Sequence, residues 1–236
     1  MELIEKISIE NNFRYERKFT LSAAARQEPL LYIKRHPAFF REIFEPRQIN
    51  NIYLDTPELQ YYFDNQKGIA DRKKVRIRWY GDTFGKVEKP KLEFKIKKGL
   101  VGDKWTFPLV NFEFEKGFTK AALWEIFFQS NLPKPILASL QNLNLALLNA
   151  YERTYFLSLN KIFRLTFDEK LDFYRIGNFN NSFLEKHSLK NDFILELKYG
   201  LDYDRSANGI SKLFPMRLDK SSKYVTGVDF LRGIQY

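Results

Sequence analysis

The sequence predicts an α+β protein in which an antiparallel sheet closes, or nearly closes, into a barrel. Strand-like segments come first, helical ones occupy the middle, and strands return towards the C-terminus. Four of the strands, Arg14 to Phe19, Val75 to Trp79, Leu92 to Lys97 and Ile194 to Lys198, alternate bulky apolar side chains with Arg, Lys and Glu. Alternate residues of a strand face opposite ways, so these strands carry apolar bulk on one face and charge on the other. Repeated on several strands, the pattern describes a sheet buried under helices on its outside and charged on a concave inside. A charged interior is costly to desolvate unless something fills it. A polyanion accompanied by a metal ion would fill it well.

In chain order, residues 13–20 form the first strand, and residues 21–44 read as mainly helical, interrupted by Pro29 and Pro37. Asn51 to Asp55 is a strand ending at Thr56-Pro57, where a short helix starts and runs to about Asn65. Strands follow at 74–81, 91–98, 104–107 and 112–115, with turn signals at Gly81-Asp82 and from Gly99 to Gly102. Thr119 to Ser130 is a capped amphipathic helix with Ala122, Leu123, Ile126 and Phe127 on one side, and Pro135 to Leu143 is a second helix. Strands return at 150–159, 162–171 and 192–199, and Asp204 to Phe214 is a further helix. Asp219 to Leu231 has no decisive pattern. No repeat, low-complexity tract or linker divides the chain, so residues 1–236 read as one domain.

Composition narrows the function classes. Hydrophobic content of 44%, with 17% aromatics, is enough for a core and argues against disorder. The longest apolar runs, such as Trp124 to Phe128, are too short to span a membrane, and the opening Met-Glu-Leu-Ile-Glu-Lys lacks a signal-peptide core. Zero cysteines exclude disulfides, thiolate metal sites and thiol catalysis, and fit a cytoplasmic chain. The net charge of +10 points to an anionic partner. The bases sit singly on strands beside carboxylates, not in a tail or helical stripe, which suits a compact phosphate compound better than nucleic acid. A basic surface serving solubility is the plainer alternative.

Arg76 and Arg78 share a strand face about 6.6 Å apart. Their planar forks match phosphate oxygens, and burial of Val75, Ile77 and Trp79 on the other face argues against an exposed edge. Glu93, Lys95 and Lys97 continue the pattern on the next strand, Glu93 either orienting a cation or holding Lys95, and Lys97 either at the site or in a solvated pair. Glu196 and Lys198 interrupt an apolar strand, so Glu196 either pairs with a base or binds a hard cation. Beside phosphate, Mg²⁺ or Mn²⁺ bridging carboxylate and phosphate is the natural chemistry. Arg164, Thr166 and Asp168 share one face, with Asp168 a second metal or lysine partner. Lys220 and Lys223 fall on one side of a helical turn, a weak signal alone, and Arg153 points with Tyr151 and Tyr155. No Walker A or G-x-G-x-x-G sequence is present. His36 and His187 lack a Ser or Asp partner, which argues against a Ser-His-Asp hydrolase and reads both as incidental surface residues.

The order of these pieces resembles the VTC domain, the polyphosphate polymerase module of the CYTH or triphosphate tunnel metalloenzyme superfamily. The matching segments are Arg-Tyr-Glu-Arg-Lys-Phe at 14–19, Ile-Tyr-Leu-Asp-Thr at 52–56, Arg-Ile-Arg-Trp-Tyr-Gly at 76–81 and Glu-Phe-Lys at 93–95. They continue with Tyr-Glu-Arg-Thr-Tyr at 151–155, Arg-Leu-Thr-Phe-Asp at 164–168, Leu-Glu-Leu-Lys at 195–198 and Lys-Ser-Ser-Lys-Tyr at 220–224. The resemblance implies a closed barrel of about eight strands around a basic tunnel. It implies that Lys18, Arg76, Arg78, Lys95, Arg153, Lys220 and Lys223 bind phosphate and that Glu196 is the metal carboxylate for Mn²⁺ or Mg²⁺. Arg14, Arg164 and Lys198 join as substrate-binding residues, and Glu16, Glu93 and Asp168 as further metal candidates. The implied partners are ATP or another nucleoside triphosphate, inorganic polyphosphate, and a membrane protein beside which such domains often work. The hydrolysing branch carries Glu-x-Glu-x-Lys on its first strand, and Arg14 stands in place of the first glutamate. That departure favours polymer synthesis over a two-metal hydrolase. A tripolyphosphatase and a non-catalytic polyphosphate or nucleotide sensor remain the alternatives.

Overall fold

The computed structural model describes residues 14–20, 29–99, 101–189 and 192–233. Its centre is a ten-stranded antiparallel sheet. The strands are β1 (Arg14–Thr20), β2 (Arg41–Asp55), β3 (Arg72–Tyr80), β5 (Lys91–Lys98), β6 (Val101–Pro108), β8 (Asn144–Leu157), β9 (Arg164–Tyr174), β10 (Lys186–Leu189), β11 (Ile194–Gly200) and β12 (Arg217–Leu218). They lie in the order β12-β1-β11-β9-β8-β2-β3-β5-β6, with β10 paired to β9. A separate ribbon joins β4 (Gly85–Val87) to β7 (Phe112–Phe114). The described helices are α1 (Pro29–Lys34), α2 (Gln60–Gln66), α3 (Lys120–Gln129), α4 (Lys134–Leu140), α5 (Asp204–Lys212) and α6 (Lys223–Arg232).

The expected closed barrel of about eight strands is corrected on both counts, because among the described residues no sheet closes and the main one has ten strands. β1 spends part of its outer edge on β12, through Phe19↔Leu218 and Thr20↔Arg217. It lies beside β6 without pairing to it, and the gap is crossed by side chains, with Lys95 of β5 bonded to Glu16 of β1 at 2.7 Å. The sheet is therefore curled but open.

Its convex face is apolar and covered. Val75, Ile77, Trp79, Leu92 and Phe94 pack under Leu123, Ile126 and Phe127 of α3 and Ile136 and Leu140 of α4. Phe19, Leu165, Phe167, Leu195 and Leu197 pack under Ile33 of α1, Ala207 of α5 and Phe214. Thr119 caps α3 by accepting the Ala122 N–H, as its position before an apolar run suggests. In the β5–β6 hairpin Gly99 takes φ +58°, a left-handed conformation that a Cβ would strain.

Three element readings change. Residues 21–44 are not mainly helical: the described part holds only α1, and β2 starts at Arg41. Residues 41–48 are exposed, so no buried face imposes alternation on them. β8 starts at Asn144, because Leu145 to Ala150 is buried on both faces and, apart from Asn149, is apolar without alternation. His36 is buried, its Nδ1 accepting from the Ala38 N–H, its Nε2 3.1 Å from the Ile210 carbonyl and its ring stacked on Phe214. His187 stacks on Phe230 at 4.0 Å. Both histidines are packing residues and not incidental surface ones.

Helix α6 lies against the inner side of the sheet at one end. A bulge between Ala150 and Glu152, with Lys170 at φ +53° on the facing strand, shifts the alternation so that Leu171 and Phe173 join Leu147 in an apolar seat for it. Tyr224 stacks on Tyr53 and donates to the buried Asp55 carboxylate, which also accepts the Tyr61 and Tyr62 N–H groups that open α2. A Cβ on Gly227 would stand 2.5 Å from Phe173 and 2.6 Å from Leu147. Gly227→Val is expected to lift α6 and cost about 1–3 kcal/mol by overpacking. An unchanged denaturation midpoint would show that α6 is not seated this way.

Candidate functional site

The concave face gathers charge around four carboxylates. On β5, Glu93 is buried and takes the Arg76 guanidinium on one oxygen, at 2.8 Å from Nε and 2.7 Å from Nη2. Arg78 stands 3.8 Å away and Lys104, in register with Lys95, lies 3.3 Å from the other oxygen. Burial pushes the Glu93 carboxyl up, but Arg76 and Arg78 outweigh it and hold it far below the usual carboxylate range. Arg78 also donates to Asn51 at 2.8 Å and to the Tyr151 hydroxyl at 3.2 Å. Burial raises that phenol, yet Arg153 and Arg78 bring it down to about 8.

The second centre is Asp168 on β9. Arg153 grips both of its oxygens, at 2.5 and 2.7 Å, and Lys223 from α6 reaches one at 2.5 Å. Desolvation of this 1%-exposed carboxyl is overcome by Arg153 and Lys223, which hold its pKa at about 2. The third centre spans β11 and β1. Glu196 pairs with Lys198 at 2.9 Å and Lys18 at 3.8 Å, and Glu16 is tied to Lys95. Burial raises the Glu196 carboxyl, and Lys198 and Lys18 more than reverse it.

These strands meet the start of α6. Lys18 donates to the Ser221 carbonyl at 2.8 Å and Lys74 to the Ser222 hydroxyl at 2.7 Å, and Ser222 caps the helix. Burial lowers the Lys18 ammonium to about 8, with Glu196 opposing and Lys95 and Lys223 reinforcing. Lys74 is lowered well below its ordinary value by burial and then by Lys18 and Lys95. A helix N-terminus with three lysines around it favours negative charge.

Of the residues singled out from sequence, Lys18, Arg76, Arg78, Lys95, Arg153, Lys198, Lys223, Glu16, Glu93, Asp168 and Glu196 share this face. Arg164 is exposed at the start of β9, opposite Lys198. Lys220 is exposed on the approach to α6, near enough to Lys97 to depress its ammonium after burial, Arg72 and Lys95. The Arg14 side chain lies outside the described residues. Lys74 and Lys104 were not singled out; Lys74 was legible, since it precedes Arg76 by two residues, whereas Lys104 follows only from the β5–β6 register.

The donor set bears on a divalent ion. Among the described residues no three His, Asp or Glu side chains gather around one point. Glu196 does lie close enough to Glu16 to push its carboxyl up against Lys95 and Lys198. The Thr166 hydroxyl, in register with Glu196, is buried without a hydrogen-bond partner. Two carboxylates and a spare hydroxyl are hard oxygen donors, too few for a resident cage but suited to an ion that arrives on phosphate oxygens.

The VTC domain profile matches residues 13–232, and the protein belongs to the VTC domain family. No curated protein matches it significantly. Among solved structures it is similar to a Hippeastrum protein described as a candidate adenylyl cyclase with a dominant triphosphatase activity. That likeness has TM-score 0.50 and 11% identity and covers 95% of this chain and 97% of the other. A candidate adenylate cyclase from Vibrio parahaemolyticus matches at TM-score 0.48 and 12% identity, covering 90% and 96% of the two chains. At such identities the Hippeastrum likeness is one of fold.

Removing a carboxylate from this face should expose how tightly the cations are held. Asp168→Asn leaves Arg153 and Lys223 buried without a counter-charge, and breaking such a pair typically costs about 3–5 kcal/mol. The folded-state pKa of Asp168 lies below its ordinary 3.8, so its contribution is complete above pH 3.8 and fades as pH falls towards 2. Urea denaturation of wild type and variant between pH 7 and pH 2 should show their difference shrinking over that window; a difference independent of pH contradicts the assignment.

Proposed function

We propose that this domain transfers the γ-phosphoryl group of a nucleoside triphosphate to the end of an inorganic polyphosphate chain held on its concave face. The observation that carries the reading is the surplus of basic side chains there, arranged around ionised carboxylates and a helix N-terminus. Arg76, Arg78 and Arg153 present planar forks to phosphate oxygens, and Lys18, Lys74, Lys95 and Lys223 add point charges. Glu93 and Asp168 keep the arginine forks oriented. Glu196, with Glu16 and the Thr166 hydroxyl, would hold Mg²⁺ or Mn²⁺. The ion supplies charge neutralisation on the phosphate oxygens when bound. Phosphoryl transfer depends chiefly on positioning and electrostatics, so it needs no nucleophile-histidine pair. The triphosphatase activity named for the Hippeastrum protein supports a second reading, in which water accepts the phosphoryl group. The product separates them: long chains from ATP mark the polymerase, orthophosphate the hydrolase, and no metal-dependent turnover a sensor.

Two measurements probe the residues. Glu196→Gln should lower turnover on the order of 10²–10³ while polyphosphate affinity holds or rises, because the face becomes more positive. Arg78→Ala should weaken affinity and turnover together, through loss of a bidentate contact. Unfolding of both variants would make Arg78 and Glu196 structural ion-pair members only.

Lys18 gives a pH dependence of known sign. Its pKa near 8 means the free protein loses this charge as pH rises from 7 to 9, so polyphosphate affinity should fall over that range and binding should take up protons. Calorimetry in buffers of different ionisation enthalpy measures the uptake; zero uptake at pH 8 rules out Lys18 as a phosphate contact.

A further inference from the structure

At the end of the concave face opposite α6 stands a rim of side chains that phosphate chemistry does not explain. β2 pairs with β3 only from Ile49 to Leu54, and its earlier residues from Arg41 pair with β8 alone. This overhang carries Phe44 and Arg47. Residues three apart on a regular strand face opposite ways. Register shifts on both sides of Phe44, with Pro46 between the two residues, bring them together instead, and the Arg47 guanidinium lies 4.6 Å from the Phe44 ring centre. Such bulges re-aim side chains beside functional sites.

The same guanidinium lies 5.9 Å from the Tyr80 ring and 6.0 Å from the Tyr155 ring. Phe44 meets Tyr155 edge to face at 5.8 Å, and Tyr80 lies near enough to Tyr155 to help burial raise its phenol. Phe44 and Tyr80 are 48% and 47% exposed, so a small core is not the purpose of the cluster. Arg47 takes part in none of the ion pairs among the described residues. Tyr80 follows Arg78 by two residues and Tyr155 follows Arg153 by two. Each tyrosine thus stands one strand repeat outward from an arginine of the phosphate face, and the Arg153 guanidinium lies 5.9 Å from the Tyr155 ring centre.

A polyphosphate chain has no π face and gains nothing from three aromatic rings. A nucleobase has two π faces and stacks on both aromatic and guanidinium planes. We propose that Phe44, Arg47, Tyr80 and Tyr155 form the subsite for the base of the nucleoside triphosphate. The proposal rests on reading the concave face as the triphosphate site. Stacking contacts discriminate a nucleotide from inorganic polyphosphate more than one base from another, so the rim marks donor from product, and purines bind ahead of pyrimidines by their larger ring.

The test is calorimetric titration of the wild-type protein, Phe44→Ala and Tyr80→Ala with ATP and with inorganic tripolyphosphate, both with magnesium. Loss of one stacking ring should weaken ATP roughly tenfold and leave tripolyphosphate within about twofold. Phe44→Leu, which keeps apolar bulk without a π face, should behave as Phe44→Ala. If the wild-type protein binds tripolyphosphate and the variants retain full ATP affinity, or lose both ligands equally, the base subsite is wrong and the phosphate face stands. If the wild-type protein binds neither ligand, the phosphate reading fails and the proposal with it.

Discussion

Nine basic side chains share the concave face with four carboxylates: Lys18, Arg76, Arg78, Lys95, Lys104, Arg153, Lys198 and Lys223 pair with Glu16, Glu93, Asp168 or Glu196, and Lys74 rests on the Ser222 hydroxyl. That imbalance is the constraint on which the rest of the structure turns. Each carboxylate is placed to serve two or more cations or to join two strands. Glu93 binds β3, β5 and β6 side chains into one group, Asp168 joins β8 to α6, and the Glu16–Lys95 bridge spans the gap that backbone hydrogen bonds leave open. Replacing any of these acids with a neutral group sets like charges against each other in a half-desolvated space.

Such a face cannot hold its own shape, so the stability that curls the sheet has to come from the other side. The two apolar clusters under α3 with α4, and under α1 with α5, supply burial on the convex face. α6 belongs to neither. It is fixed by shape, through Gly227 against Phe173 and Leu147, and by the buried Tyr224–Asp55 contact, and it delivers Lys223 and its own N-terminus to the charged face. Burial first, and then Asp55, keep the Tyr224 phenol protonated far above its ordinary range, so this clasp does not open within physiological pH.

Alternation made the charged face legible in the sequence wherever a strand has one apolar and one polar side, as in Val75 to Trp79 and Ile194 to Lys198. It failed where that condition fails. The overhang at Arg41 to Gln48 is exposed throughout, the Leu145 to Ala150 run is buried throughout, and the bulges near Glu152 and Lys170 invert the parity of everything beyond them. Openness of the sheet was illegible for a different reason: it depends on which edge β12 takes, and a two-residue strand has no pattern of its own. The rim went unread because Phe44 and Arg47 share a face only through register shifts, which spacing rules treat as a mismatch.

The ionisation states of the face bear on which acceptor it suits. Water must lose a proton as it attacks, and a carboxylate serving as its base works best with a pKa close to ambient pH. Glu93, Asp168 and Glu196 are all driven the other way, by the cations that hold them, and Glu16 is lowered by Lys95 against the pull of burial and Glu196. A terminal phosphate oxygen is already anionic and needs positioning and charge neutralisation only, which lysines and arginines provide. Lys18 and Lys74, with lowered pKa values, gain most from an arriving anion, because each phosphate charge restores a proton that burial had loosened. Under the proposed function, the same arrangement that deprives water of a base would strengthen the hold on a second phosphate chain. This is the physical ground on which the proposed function takes phosphate ahead of water as the acceptor.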